Sequence, residues 1–308
     1  MKILNKKTVL IAGGSGLVGT RISEMLSENE YNINILTRTK KPNKGNIKYF
    51  EWDINNKKID LQALQVEHII NLTGAGIADK RWSSARKKVI IDSRVNSLKL
   101  ITNGLISLNH QPESVVCASA IGYYGNRGSE TLTEQSDQGS GFLPECCKLW
   151  EAASQQLIDQ SKRGTIFRIG IVLSSKGGAL PKILMTKKLG VINYFGNGSQ
   201  FYSFIHIHDL TNMIIQALND PAYHGIMNAV SPTPMTNKDF SLKIAEVLPG
   251  FQTTLPAPAF ALKLALGEMS AVVLDSTKVI PQKLIDIGFP FQFAQLSEAI
   301  LDIDSRKV

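Results

Sequence analysis

In the segment VLIAGGSGLVG (9–19), Gly14, Gly16 and Gly19 stand at the spacing G-x-G-x-x-G, and Gly13, Gly16 and Gly19 give a shifted spacing beside it. Glycine there lets the chain turn tightly, brings backbone close to a pyrophosphate and packs a helix onto the preceding strand. Ile22, Met25 and Leu26 follow at helical spacing. The loop therefore opens a helix, and the N–H groups of Gly13, Ser15, Gly16, Leu17, Val18 and Gly19 are candidates to hold phosphate. An apolar strand before and a helix after turn a weak glycine pattern into a dinucleotide site. The second strand, NINIL (32–36), ends at Thr37-Arg38, where an NAD enzyme usually carries an acid for the ribose 2′-hydroxyl. No acid stands there, and Arg38, Lys40 and Lys41 do. A guanidinium holds a 2′-phosphate that a carboxylate would repel, so the expected cofactor is NADP.

A second group of reactive side chains follows a later apolar strand. SVVCA (114–118) runs into Ser119-Ala120-Ile121-Gly122-Tyr123-Tyr124-Gly125. Ligands of open α/β sheets sit beyond the carboxyl ends of strands, so this loop should face the reactive end of the cofactor. Either tyrosine hydroxyl could move a proton, and Ser119 could hydrogen-bond a substrate. His206 and His208, two apart, would share one face of a strand, but no third ligand joins them and no metal is expected. Asp209 should cap the helix that follows. Asp53 either accepts from the adenine amino group or caps the turn at Asn55-Asn56.

The elements that must position these groups alternate strand and helix. Further strands are expected at 47–53, 68–72, 164–173 and 227–230, with small residues Thr73, Gly74, Ala75 and Gly76 letting backbone pass beside the cofactor. The stretch IADKRWSSARKKVIIDSRVNSLKLI should be a helix with Val89, Ile90, Val95, Leu98 and Ile101 inward and Arg86, Lys87 and Lys88 in water. Another helix should be capped near Thr236 or Asn237. The pattern gives an α/β fold, a Rossmann-type doubly wound parallel sheet with a smaller, largely helical C-terminal substrate lobe. Residues 1–230 form the expected dinucleotide domain, with part of 174–205 lent to the substrate lobe, and 231–308 the C-terminal extension.

A chain of 308 residues with 43% hydrophobic content can bury a large core. No apolar run nears the roughly 18 residues a membrane span needs, so no membrane association is expected. The basic, apolar start is too short for a signal peptide and merges with the glycine loop, which points to the cytoplasm. Three cysteines, Cys117, Cys146 and Cys147, give no disulfide framework or metal spacing. The net charge of +8 is scattered and carries no nucleic-acid motif. The expected partner is a small-molecule substrate, bound by a monomer or homodimer.

GGSGLVG (13–19), NLTGAGI (71–77), RWSSARKKVIIDSR (81–94), SAIGYYG (119–125), KLWE (148–151), RIGIVL (168–173), GGALPK (177–182), SFIHIHDL (203–210), GEM (267–269), VIPQKL (279–284) and GFPF (288–291) together make the chain resemble an atypical branch of the extended short-chain dehydrogenase/reductases. That branch is the epimerase-like family of nucleoside-diphosphate-sugar epimerases with a C-terminal extension, and the likeness runs over about residues 8–304. It implies NADP contacts at Thr37, Arg38, Leu72, Thr73, Gly74, Arg94 and Val172 beside the glycine loop. It also implies a substrate cleft near SFIHIHDL, for which Trp82, Lys148 and His206 are the candidate contacts, with Glu151 nearer a solvated helix acid. The sequence departs from the superfamily at its chemistry. The usual Tyr and Lys, four residues apart, would fall on Pro144 and Lys148 or on Leu143 and Cys147. The usual Ser or Thr falls on Ala120. If protons move, Tyr123, Tyr124 or Ser119 must move them; the alternative is an NADP(H) sensor without catalysis.

Overall fold

A computed structural model describes residues 6–29, 31–250 and 252–305. The first four residues of the basic start, and the fifth, lie outside them. Strands β1 (Thr8–Ala12), β2 (Asn32–Thr37), β3 (Ile47–Asp53), β5 (His68–Asn71) and β6 (Ser114–Ala120) lie close to the expected segments, and the short strand β4 (Lys58–Ile59) was not expected. With β7 (Gly164–Ile169) and β11 (Gly225–Ala229) they form an eight-stranded sheet in the order β11-β7-β6-β5-β1-β2-β3-β4. All pairs are parallel except β3 with the short edge strand β4. The chain steps from β1 outward to β2 and then back across to β5, so the strand order reverses beside β1, where doubly wound sheets bind ligands.

The central strands are apolar on both faces because helices cover both. Val9 and Ile11 of β1 pack with Ile22 and Leu26 of helix α1 (Leu17–Glu28) and with Leu210, Met213 and Ile214 of α4 (Ile207–Asn219). Leu10 and Ala12 face the other way, against Leu98, Ile101 and Leu105 of α2 (Ser84–Leu108) and Trp150, Ala153 and Leu157 of α3 (Phe142–Ile158). In α2, Ile90, Leu98 and Ile101 are buried and Val95 half-buried, but Val89 is exposed. Arg86 and Lys87 are not on a wet face as expected: both are partly covered by the loop before α2 and by the C-terminal extension.

The expected strand 164–173 is broken at Gly170. A Cβ there would stand 2.5 Å from the Ser203 carbonyl oxygen, so only glycine lets the two backbones approach. After the break, β8 (Ile171–Leu173) leaves the main sheet and pairs with β10 (Phe204–His206). A second pair joins β9 (Val191–Phe195) to β12 (Thr253–Ala257). Helix α5 (Asn237–Val247) is capped by Thr236, whose side chain accepts from the Asp239 N–H. The third core packs Leu173, Leu180, Ile192, Tyr202 and Phe204 against Phe240 and Ile244 of α5 and Leu296, Ala299, Ile300 and Ile303 of α7 (Leu296–Ser305). The smaller lobe thus draws on both sides of residue 230. Helix α6 (Ala259–Leu266) buries no side chain and leaves Phe260 and Leu264 exposed.

Candidate cofactor and active site

Each end of the glycine loop is fixed by close backbone packing. Gly13 adopts φ +87°, and a Cβ on it would lie 2.9 Å from the Leu72 carbonyl carbon, at the carboxyl end of β5. A Cβ on Gly19 would meet the Gly13 carbonyl oxygen at 2.3 Å. Gly16 is the N-cap of α1 and offers no capping side chain, while Ser15 and Gly16 are exposed. The first N–H groups of α1 are therefore directed at the cleft with no side-chain acceptor, which fits a bound pyrophosphate. At the end of β2, Arg38 is exposed and has no ion-pair partner among the described residues. Thr37 turns its hydroxyl to the Thr39 carbonyl oxygen at 3.0 Å. Residues present at the switch point thus fit a dinucleotide, and the cation at β2 fits one that carries a 2′-phosphate.

Beyond β5, the loop 72–77 is clamped by α2. Asn71 accepts from the Thr73 N–H and hydroxyl, and Ala75 N–H donates to Ser93 at 2.9 Å. Arg94 donates to the carbonyl oxygens of Ala75 at 3.1 Å and Ile90 at 2.8 Å, and lies over the Trp150 ring at 4.7 Å. Gly74 leaves room for that guanidinium: a Cβ would stand 2.8 Å from the Arg94 guanidinium carbon. Burial pushes the pKa of Arg94 down, and no carboxylate pairs with it among the described residues. Trp82 donates to the Ile77 carbonyl oxygen at 2.8 Å and sets its ring edge-on to Phe142 at 4.8 Å. Asp53 caps its own turn, accepting from the N–H groups of Asn55 and Asn56 and from the Asn56 side chain.

The SAIGYYG loop sits on a buried polar network. Ser119 donates to Glu151 Oε1 at 2.6 Å. Glu151 binds Arg168 in a two-point pair, Nε to Oε1 and Nη2 to Oε2, both at 2.9 Å. Arg168 Nη1 reaches the Tyr124 hydroxyl at 3.0 Å, and that hydroxyl donates to Asn228 at 2.7 Å. Burial opposes the charge of Arg168, but the bonds to Glu151 and Tyr124 outweigh it and hold the guanidinium charged. Burial likewise pushes the Tyr124 phenol up to about 12.

Three expected roles change here. Tyr124 is fully buried with its hydroxyl already committed, so it is not available to a ligand. Ser119, at 2% exposure, is spent on Glu151, and Glu151 is not a solvated acid. Among the candidate proton donors Tyr123, Tyr124 and Ser119, only Tyr123 is half-buried, with its ring centroid 3.4 Å from the Arg168 guanidinium carbon. On α3, Leu143, Pro144 and Cys147 face the loop, against Gly122 and Gly125, and Lys148 is exposed. Cys147 is pushed up to about 12 by burial and is no nucleophile.

His206 is not an open ligand contact. Its Nδ1 accepts from the His208 N–H, making it the N-cap of α4, and its Nε2 lies 3.3 Å from Asp302. Asp209 does not cap that helix; it accepts from the N–H groups of Gln292 at 3.1 Å and Phe293 at 2.9 Å. A cavity of about 490 Å³ takes in His206, His208, Ser15, Gly16, Leu17 and Lys176, but none of Trp82, Tyr123 or Lys148. No metal cluster occurs among the described residues. Sequence reading missed Arg168 and Asn228. An arginine inside the apolar strand GTIFRIGIVL was the available signal, because a buried cation demands a buried partner.

Residues 9–229 match the model of the NAD dependent epimerase/dehydratase family, and 257–303 match a domain of unknown function, DUF1731. The chain belongs to the NAD dependent epimerase/dehydratase family. It is 33% identical over 299 residues to an epimerase family protein of Staphylococcus haemolyticus, covering 96% of this chain and 99% of the relative. It is 31% identical to the chloroplastic SDR39U1 homolog of Arabidopsis thaliana, covering 96% of this chain and 86% of that protein. Among solved structures it resembles human epimerase family protein SDR39U1 (isoform 2) with NADPH, with a TM-score of 0.85, 26% identity, and coverage of 97% of this chain and 99% of that one. No helix of the described residues is long and apolar enough to cross a membrane.

Proposed function

We propose that this member of the family binds NADP(H) and carries out hydride transfer on a polar, sugar-nucleotide-like small molecule, with Tyr123 moving the proton. The observation that carries the chemistry is the stack of Tyr123 on Arg168, 3.4 Å from ring centroid to guanidinium carbon. The stack fixes the Tyr123 ring beyond the carboxyl end of β6, so that its hydroxyl is held in one place for proton transfer. Glu151, Tyr124 and Asn228 hold Arg168 in place from behind. The cofactor reading is supported by Arg38 at the end of β2 and by the NADPH bound to the human relative. Gly13, Ser15, Gly16, Leu17, Val18 and Gly19 would hold the pyrophosphate and Arg38 the 2′-phosphate. Thr37, Leu72, Thr73, Gly74, Arg94 and Val172 would fix the rest. NADP(H) when bound supplies the hydride acceptor or donor. Trp82 and Lys148 are the substrate contacts we retain, while His206 is left out because its ring caps α4.

Screening NADPH oxidation against nucleotide sugars tests the chemistry. Tyr123→Phe should lower turnover by roughly 10²-fold and leave NADPH affinity unchanged. Full turnover in that variant would overturn the role. One observation favours a second reading, a cofactor-binding sensor. The α3 face toward the loop carries Leu143, Pro144 and Cys147 in place of hydroxyl and amine groups. NADPH binding without turnover on any substrate class screened would move the assignment to that reading.

A further inference from the structure

We propose that Arg86 and Lys87, in the first turn of α2, recognise an anionic group of the substrate, phosphate or carboxylate, at the outer rim of the cleft. The proposal rests on the reading of the cleft given above, in which the inner cation, Arg94, belongs to the cofactor.

The cations and their present partners are unevenly covered. Arg86 is 15% exposed and its partner Asp79 62%, at 3.4 Å. Lys87 is 29% exposed and its partner Glu268 65%. Exposed carboxylates in such pairs contribute little and exchange easily with a better anion. The cations, by contrast, are held where they are. Arg86 Nη2 donates to the Gly76 carbonyl oxygen, and Lys87 lies over the Phe142 ring at 5.3 Å. Arg86 Nε is buried with no hydrogen-bond partner, an unmet donor that an oxyanion can satisfy with the two-point geometry of a guanidinium.

The surroundings also have too much positive charge for the acids present. Arg94 lies close enough for its titration to feel Arg86, and Arg81 packs beside Gly267. With Arg94 left to the cofactor, three cations, Arg81, Arg86 and Lys87, thus stand with two exposed acids, Asp79 and Glu268. Trp82 and Phe142, edge to face, wall the same corner. The loop that Arg86 clamps lies at the carboxyl end of β5, within the region where a doubly wound sheet binds its ligands. A ligand oxyanion would replace Asp79 at Arg86 and Glu268 at Lys87. Because Glu268 comes from the C-terminal extension, substrate charge would be read where the extension meets α2.

The test uses the full chain saturated with NADPH, so that the glycine loop is filled, titrated calorimetrically with inorganic pyrophosphate and with citrate. Saturable binding of one probe is expected, and which probe binds separates phosphate from carboxylate. Arg86→Gln and Lys87→Gln should each weaken it about tenfold, the effect of one charge-assisted bond. Lys88→Gln, an exposed residue paired with Asp92, should not. Glu268→Gln removes a competitor and should tighten probe binding about threefold, which a merely structural role would not produce. NADPH affinity should stay within about twofold in every variant, and melting temperatures check the fold. Absence of saturable binding to either probe, or binding unaltered in Arg86→Gln, overturns the proposal. An equal loss of NADPH affinity in Arg86→Gln also overturns it, by giving Arg86 to the cofactor. Failure of the unaltered protein to bind NADPH would instead defeat the cofactor reading, and the same variants titrated with probe alone still decide the anion site.

Discussion

At the scale of single residues, cofactor choice turns on Arg38. Its guanidinium is exposed at the end of β2 with no carboxylate bound to it among the described residues, so a 2′-phosphate meets no internal competitor. NADPH should bind at least about tenfold tighter than NADH, since a charge-assisted bond contributes roughly 1.5–3 kcal/mol. Arg38→Ala should narrow that ratio by weakening NADPH alone. Fluorescence titration of both nucleotides measures it, and equal affinities in the unaltered protein would exclude the 2′-phosphate contact. The two adjacent tyrosines show what a sequence reveals at this scale and what it does not. SAIGYYG advertises two phenols on a loop beyond a strand, yet only one stays within reach of a ligand. The difference is made by Asn228 and Arg168, residues 104 and 44 positions away from Tyr124; the arginine in GTIFRIGIVL signals a buried partner but not which tyrosine it holds.

At the scale of elements, strands and helices were largely legible because apolar runs and 3.6-residue spacing are local signals. The break at Gly170 was not, since it answers to the Ser203 backbone, which folds against it from another strand. Nor was the burial of Arg86, which depends on the loop before α2 folding back over it. Element β5 also carries a pH dependence. Ser114 donates its hydroxyl to the Leu218 carbonyl oxygen, so His68 Nδ1 must carry the proton it shares with Ser114 at 2.8 Å. Its Nε2 is then a buried lone pair with no donor among the described residues, and burial lowers the histidine to about 4. The unfolded chain takes up this proton near pH 6.5 and the folded chain only near pH 4. Stability contributed by neutral His68 is therefore complete above about pH 6.5 and falls as pH drops toward 4, by up to about 3 kcal/mol. Denaturant melts at pH 7 and pH 5 should show part of that loss. In His68→Asn the pH dependence over this range should shrink, and an unchanged slope would mean that another group carries it.

At the scale of the whole molecule, the C-terminal extension is not an appendage but a wall fastened to the dinucleotide fold by buried polar contacts. Asn228, at the end of β11, donates to the Ile280 carbonyl oxygen at 3.0 Å, and Glu134 accepts from both the Asn228 and Lys283 N–H groups. Another such fastening is Asp209 of α4. It is fully buried, and its two carboxylate oxygens take the N–H groups of Gln292 and Phe293, just before α7. Burial raises its pKa, and the bonds from Phe293 and Gln292 offset that desolvation only in part. Asp209→Ala would leave both backbone donors without an acceptor, at a cost of about 2–4 kcal/mol. The loss should be local. Hydrogen exchange at Gln292, Phe293 and the α7 amides should quicken, because α7 closes the third core, whereas the amides of β1, β5 and β6 should keep their protection. NADPH affinity should change little, since the glycine loop and Arg38 are held by the main sheet. Asp209→Asn, which keeps one acceptor oxygen, should fall between. Uniform loss of protection across the sheet in Asp209→Ala would show instead that the extension and the dinucleotide fold unfold as one unit.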